Sequence, residues 1–232
     1  MRNVILGCEI LKDEIEQSMA KVQCQDDVIW IDSSLHMFPQ KLNAKLQEEI
    51  DKLDEEGLTD NILFTFGYCG NAIIGLISHK SNLIFPQTND CIEMFLHDNP
   101  SKHTLRSAGC YFLTKGWMES EYSIVHEYDR YVKRYGENRT KRIMDIMLAH
   151  YQYLTLIDTG AYSVEEYMPT AKEAAEKLEL TLNLQGGNID LLNKLFSGNW
   201  DEEFCIIPPN VTVSLESFSS LHLTPSQGQI TG

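Results

Sequence analysis

Four short apolar runs, separated by turns and helical patterns, govern what this chain can fold into. They are Val4-Ile5-Leu6, Val28-Ile29-Trp30-Ile31, Ile62-Leu63-Phe64-Thr65-Phe66 and Leu83-Ile84-Phe85. Runs this short, rich in branched and aromatic side chains and bounded by Asn, Gly or Pro, read as buried strands. Residues 11–22 between the first two form a charged amphipathic helix. After the second, Leu42, Leu46, Ile50 and Leu53 repeat at helical spacing until Gly57. Four such units in the first 98 residues predict a parallel sheet with right-handed crossovers.

The third run ends in Phe66-Gly67-Tyr68-Cys69-Gly70-Asn71, and Ala72–Ile77 is expected to start a helix capped by Asn71. Cys69 then sits between two glycines at the carboxyl end of a strand, where open parallel sheets bind ligands. Cys8, His36 and Cys91 also follow predicted strands, Cys91 in a helix capped by Asn89 or Asp90. Parallel neighbours deliver their carboxyl ends to one edge, so Cys8, His36, Cys69 and Cys91 form one candidate ligand set. Thiolate and imidazole suit zinc; three protein ligands leave a position open and four close the site. A redox iron or iron–sulfur centre is the other group such ligands could hold. Against this stands simple packing: free Cys is often buried as a small hydrophobe, and there is no CxxC pair. A loop hydrogen bond would equally explain His36. Cys24, Cys110 and Cys205 are read as packing groups.

Around this set, Gly67-x-x-Gly70 and Gly186-Gly187 could offer backbone donors to a phosphate or carboxylate, or simply form turns. Gly70 and Asn71 could contact substrate or support a ligand, and Trp117 could wall a pocket or fill core. Asp32, Asp90 and Asp158 follow strands and either support a ligand or substrate or cap helices. Beyond a polar boundary at Asp98–Ser107 the rhythm returns. Strands are expected at Cys110–Thr114, Tyr153–Ile157, Leu180–Leu184 and Phe204–Ile207, with a long helical region broken near Gly136. The expected architecture is α/β, parallel-sheet and Rossmann-like: one half over 1–98 carrying the Cys/His cluster, a second over 108–215 and a flexible tail over 216–232, with a cleft between the halves.

Charge narrows the partners. With 34 Asp and Glu against 19 Lys and Arg, the net charge is −15, which argues against nucleic acid and anionic membranes. No apolar run reaches the roughly 18–20 residues of a membrane span. The start, Met1 to Glu9, does not read as a secretory signal. A cytoplasmic setting is expected, with the six cysteines as thiols or ligands rather than disulfides.

Four phrases in order, Gly7-Cys8-Glu9, Leu35-His36-x-x-Pro39-x-x-Leu42, Gly67-Tyr68-Cys69-Gly70-Asn71 and Asp90-Cys91-Ile92, together with Gly116-Trp117 and Asp158-Thr159-Gly160, resemble the DUF1638 family of bacterial and archaeal proteins. The family has no established general activity. The resemblance implies company with corrinoid-dependent methyltransferase systems, which demethylate methylamines, betaines and similar compounds. It therefore implies a corrinoid protein or methyltransferase component as partner and a small-molecule substrate. Two expectations follow. One is a metal-dependent enzyme step, zinc-assisted methyl transfer to a thiol, with Trp117 and Asp158 near the substrate. The other is a non-catalytic accessory protein that delivers, stores or senses a corrinoid or iron–sulfur cofactor. The His36 loop lacks the DxHxxG pattern of the usual corrinoid module.

Overall fold

A computed structural model describes residues 1–100 and 102–218. The first strand, β1 (Asn3–Cys8), is buried from Val4 onward. It leads through a 3-10 turn into α1 (Lys12–Val22), then β2 (Asp27–Ile31), α2 (Pro39–Glu56), β3 (Asn61–Phe64), β4 (Asn82–Pro86) and the short α3 (Cys91–Phe95). Pro39 occupies the first turn of α2, where its missing N–H costs nothing. The buried face of α2 includes Leu42, Leu46, Ile50 and Leu53, the stripe visible in the sequence.

A second set of elements follows: α4 (Lys102–Ser107), β5 (Cys110–Leu113), α5 (Lys115–Glu119), α6 (Ile124–Tyr135), α7 (Glu137–Met147), β6 (Tyr153–Asp158), α8 (Val164–Lys177) and β7 (Thr181–Gly186). The chain ends its described course in α9 (Asp190–Phe196), β8 (Phe204–Ile207) and a 3-10 turn at Leu215–Phe218. The strands make two sheets, one ordered β2-β1-β3-β4-β8 and one ordered β5-β6-β7. All pairings are parallel except β4 with β8. The protein is thus mixed α/β with mostly parallel sheets.

Three features depart from the sequence reading. The first concerns where the chain divides. Residues 1–97 and the stretch from Ile189 form one compact unit, and Asp98–Asn188 the other. The late elements expected in the second half belong to the first, because β8 completes the first sheet against β4. On the helical side, Ser18 of α1 donates to Asn193 of α9 at 2.9 Å.

The second departure is the helix expected after Asn71, which does not form. Asn71 has φ +77° and Gly75 φ +89°, both outside helical space. The polar backbone of this buried stretch is satisfied instead by side chains of α2. The Asn43 amide donates to the carbonyls of Ala72 and Ile74, each at 2.9 Å, and Gln47 serves both N–H and C=O of Ile77. Val213 adds a two-way backbone pairing with Gly75 and Leu76. The crossover from β3 to β4 is therefore an irregular segment latched onto α2.

The third is the tail. It is anchored at Phe218, which is fully buried with its ring edge-on to Phe85 and Tyr68, each at 6.0 Å between centroids. The flexible tail expected over 216–232 otherwise lies outside the described residues from 219 onward. No helix among the described residues is long and apolar enough to cross a membrane.

Candidate metal centre

In the first sheet the chain leaves β1 to form β2 on one side, then crosses back to form β3 on the other. The connections therefore diverge between the carboxyl ends of β1 and β3, the position at which such sheets commonly form a crevice. This is where open α/β sheets take their ligands. Cys8 is the last residue of β1, and the Gly67–Asn71 turn follows β3 directly.

The crevice floor is fixed by cross-strand bonds beyond the regular ladder. Thr65, fully buried, accepts from the Cys8 N–H at 2.9 Å, and its own N–H donates to Leu6 at 3.2 Å. Gly67 is required by close approach. A Cβ there would stand 2.7 Å from the Thr88 carbonyl oxygen and 2.8 Å from the Asp90 nitrogen. The loops after β3 and β4 are further joined by Tyr68 N–H to Thr88 C=O and Cys69 N–H to Asn89 C=O, at 2.8 and 2.9 Å. Cys69 itself has φ +45°, a left-handed conformation uncommon for a side-chain-bearing residue.

His36 enters from the loop after β2. Asp32 caps its 3-10 turn by accepting from the Ser34 N–H at 2.7 Å, and Glu9 holds the same loop through the Ser33 N–H at 3.3 Å. The imidazole lies parallel to the Phe66 ring, 6.0 Å between centroids, and its Nε2 is 2.9 Å from Cys8 Sγ. Residues 28 positions apart are thus in hydrogen-bonding contact.

Burial sets the protonation of this pair. Desolvation pushes the Cys8 thiol up to about 12, against the pull of backbone bonds from Ile10 and Leu11; the charges of Glu9 and Glu14 add to the rise. Desolvation also lowers His36 to about 4. Both shifts favour the neutral forms, thiol and imidazole, at pH 7. Burial thus works against a thiolate–imidazolium pair. The Cys69 thiol is raised as well, first by burial, then by the charges of Asp90 and of Cys8. Hydrogen bonds from the Gly67 and Cys91 backbones oppose that rise. Cys69 therefore lies within the electrostatic reach of Cys8, with its sulfur against the backbone of Cys91.

The four expected ligands share one sheet edge to different degrees. Cys8 and His36 touch, Cys69 lies within electrostatic reach of Cys8, and Cys91 is the buried first residue of α3. Among the described residues, no three ligand atoms of this set lie within 4.8 Å of one another. Gly70 and Asn71 lie in the 3-10 turn with Cys69, and the Asn71 side chain accepts from the Tyr68 hydroxyl. Asp90 caps α3 by accepting from the Glu93 N–H at 2.9 Å. Trp117 and Asp158 belong to the second unit. There Trp117 packs half-buried on its apolar core, and Asp158 accepts from the Gly160 N–H at 3.0 Å.

Two participants escaped the sequence reading. Glu14 is a carboxylate with 1% exposure, and its charge acts on Cys8. Its signal was available: Leu11, Glu14, Ile15 and Ser18 form a helical stripe, with two polar residues on the face turned inward. Thr88 is fully buried with its hydroxyl unpartnered among the described residues, 2.8 Å from where a Gly67 Cβ would be. Nothing in a lone Thr after a strand announces that role.

Comparison with known proteins places the chain in a family. It is 38% identical over 82 residues to the "Uncharacterized protein YabS" of Bacillus subtilis (strain 168), covering 35% of this chain and 32% of that protein. The chain therefore spans about a third of the length of the curated relative it matches. No solved structure matches. The sequence model described as "Protein of unknown function (DUF1638)" matches residues 30–196, a stretch that includes His36, Cys69 and Cys91 and begins after Cys8. The chain belongs to the DUF1638 family.

Proposed function

We propose that the crevice between β1 and β3 binds a metal ion, zinc in the first instance, through Cys8, His36 and Cys69, with Cys91 beside them. The observation that carries this reading is the 2.9 Å approach of Cys8 Sγ to His36 Nε2 across two strand ends. A tetrahedral zinc at usual bond lengths spaces a thiolate sulfur and an imidazole nitrogen about 3.5 Å apart. A small opening of the pair would admit an ion where a proton now sits, and Cys69 would close toward it. The desolvation that keeps these thiols protonated is what a divalent cation would reverse, with release of protons on binding. Glu14, buried nearby, would add negative charge around the ion. The sheet order supports a Rossmann-like description of the first unit, with the site at its reversal. Six cysteines outside any disulfide suit a reducing, cytoplasmic setting.

The reaction class we assign to this site is methyl transfer linked to corrinoid-dependent or one-carbon metabolism. Zinc, when bound, supplies Lewis acidity that keeps a thiol ionised at neutral pH. A methyl group leaving a methylated corrinoid protein would leave its bonding electron pair on cobalt as a carbon–sulfur bond forms. The alternative is an accessory role in which the same residues hold an iron–sulfur cluster or a corrinoid without turnover. It is favoured by the depth of the thiols, since a fully desolvated Cys8 is placed for holding rather than for attack.

Anaerobic purification followed by elemental analysis and absorption spectroscopy tests the assignment. About one zinc per chain is expected, without visible absorption. Cobalt(II) substitution should give thiolate charge-transfer bands that Cys8→Ser and Cys69→Ser each diminish. Visible cobalamin or iron–sulfur absorption would select the accessory reading. Metal content unchanged in a Cys8→Ser, His36→Ala double variant would sink both.

A further inference from the structure

The second unit carries a concentration of positive charge at odds with the rest of this acidic chain. Six of the whole chain's 19 Lys and Arg fall between Arg130 and Arg142, at the end of α6 and the start of α7. Arg130 donates to the Glu121 carbonyl, and Lys141 pairs with Glu179 and Asp145. The other four, Lys133, Arg134, Arg139 and Arg142, are exposed and make no ion pair among the described residues. Arg134 and Arg139 rest over the Tyr135 ring at 5.2 and 5.1 Å.

Beside them is an open cavity of 430 Å³ lined by Asn138, Arg139, Arg142, Ile143 and Ile146. Arg139, Arg142, Ile143 and Ile146 stand at i, i+3, i+4 and i+7, so they share one face of α7. The opposite face, with Thr140 and Met144, is the one buried in the unit's core. Ile146 is 72% exposed. The helix thus presents two guanidiniums outside any ion pair among the described residues, next to the exposed Ile146 and the half-buried Ile143.

Both features need explaining together. A phosphate or nucleic-acid backbone would satisfy the arginines and leave the isoleucines wet, and a net charge of −15 repels a long polyanion. An apolar ligand would do the reverse. We propose that the Arg139–Arg142–Ile143–Ile146 face of α7 docks an acidic amphipathic helix of a partner protein, with carboxylates on the arginines and an apolar side chain between the isoleucines. Such a helix matches the spacing of the face, and bidentate Arg–carboxylate bonds would set its register. This inference is independent of the metal centre.

The test uses the full chain and a fluorescein-labelled synthetic peptide of about 18 residues, long enough for an amphipathic helix. The peptide carries Glu and Leu at i, i+3 and i+4 spacing. Fluorescence anisotropy should show saturable binding that weakens about ten-fold between 50 and 300 mM salt, as screened charge contacts do. An Arg139→Glu, Arg142→Glu variant and an Ile146→Asp variant should each weaken it about ten-fold or more, with circular dichroism unchanged because these side chains are exposed. A peptide of the same composition with its apolar face scrambled should bind at least ten-fold more weakly. Absence of binding, equal binding by the variants or by the scrambled peptide, or tighter binding of a single-stranded oligonucleotide would overturn the proposal. So would a change in sedimentation of the chain alone on charge reversal, which would make a second copy the occupant.

Discussion

The two sheets are built from the same parallel strand–crossover grammar, yet only one gathers reactive side chains. In the first, the order β2-β1-β3-β4 reverses direction at β1, where Cys8 and His36 touch and the turn holding Cys69 follows the neighbouring strand β3. In the second, β5, β6 and β7 lie in chain order without a reversal. Its strand ends are absorbed by local turns: Asp158 accepts from Gly160, and the Gly187 N–H returns to the Asp158 carbonyl at 2.8 Å. Strand periodicity alone does not make a site. A change of winding direction opens the space, and the residues beside it supply the chemistry.

This contrast can be broken experimentally, starting with the packing that closes the first unit. Phe218→Ala removes a fully buried ring in contact with Phe85 and Tyr68. A loss of about 3–5 kcal/mol is expected for a large-to-small change of this kind. Urea unfolding followed by Trp30 and Trp200, both in the first unit, should shift its midpoint sharply. A shift within about 0.5 kcal/mol would show that the end of the described chain contributes nothing to this unit.

The next effect is on pH. His36 in the folded protein titrates near 4, below its ordinary value of 6.5. Between these values the unfolded chain takes up a proton that the folded chain refuses. Stability is therefore complete above pH 6.5 and falls as pH drops toward 4, by about 2–3 kcal/mol. His36→Gln should flatten that slope over the same window. A slope retained in the variant would place the pH sensitivity elsewhere.

Gly67 and Gly186 compare the two sheets directly, since each follows or ends a parallel strand. Gly67→Ala drives a methyl into the Thr88 and Asp90 backbones and should cost about 1–3 kcal/mol. At Gly186 an added Cβ meets nothing within 4 Å, and the same change should stay within about 0.5 kcal/mol. Equal costs in denaturant titration would mean that the close approach at Gly67 relaxes freely.

Legibility in the sequence followed the same divide. The strands were readable because their apolar runs are short and sharply bounded, and α2 because Leu42, Leu46, Ile50 and Leu53 keep helical period over a long span. Cys8, His36 and Cys69 were placed at strand ends by that reading alone. What defeated it was long-range: Asn43 and Gln47 hold residues 72–77 in an irregular path although their apolar composition suits a helix. The return of β8 to β4, 120 or so residues later, leaves no local mark either, because an edge strand reads alike in any sheet. Glu14 was hidden by its surroundings, since a carboxylate in a charged helix looks solvated until the helix is docked.

The smallest expected effect separates capping from electrostatics at the two strand-end aspartates. Asp90 caps α3 through the Glu93 N–H and also raises the Cys69 thiol by its charge; Asp158 caps only a turn. Asp90→Ala should cost about 1 kcal/mol through the lost cap, and Asp158→Ala about half of that. Asp90→Asn keeps the cap, so stability should hold within a few tenths of a kcal/mol. With the charge gone, the Cys69 thiol should ionise at lower pH, and its alkylation rate, followed site by site with mass spectrometry, should rise. Asp158→Asn should leave that rate unchanged. If Asp90→Asn leaves it unchanged too, the carboxylate acts on α3 alone, and the crevice between β1 and β3 has one fewer residue governing its chemistry.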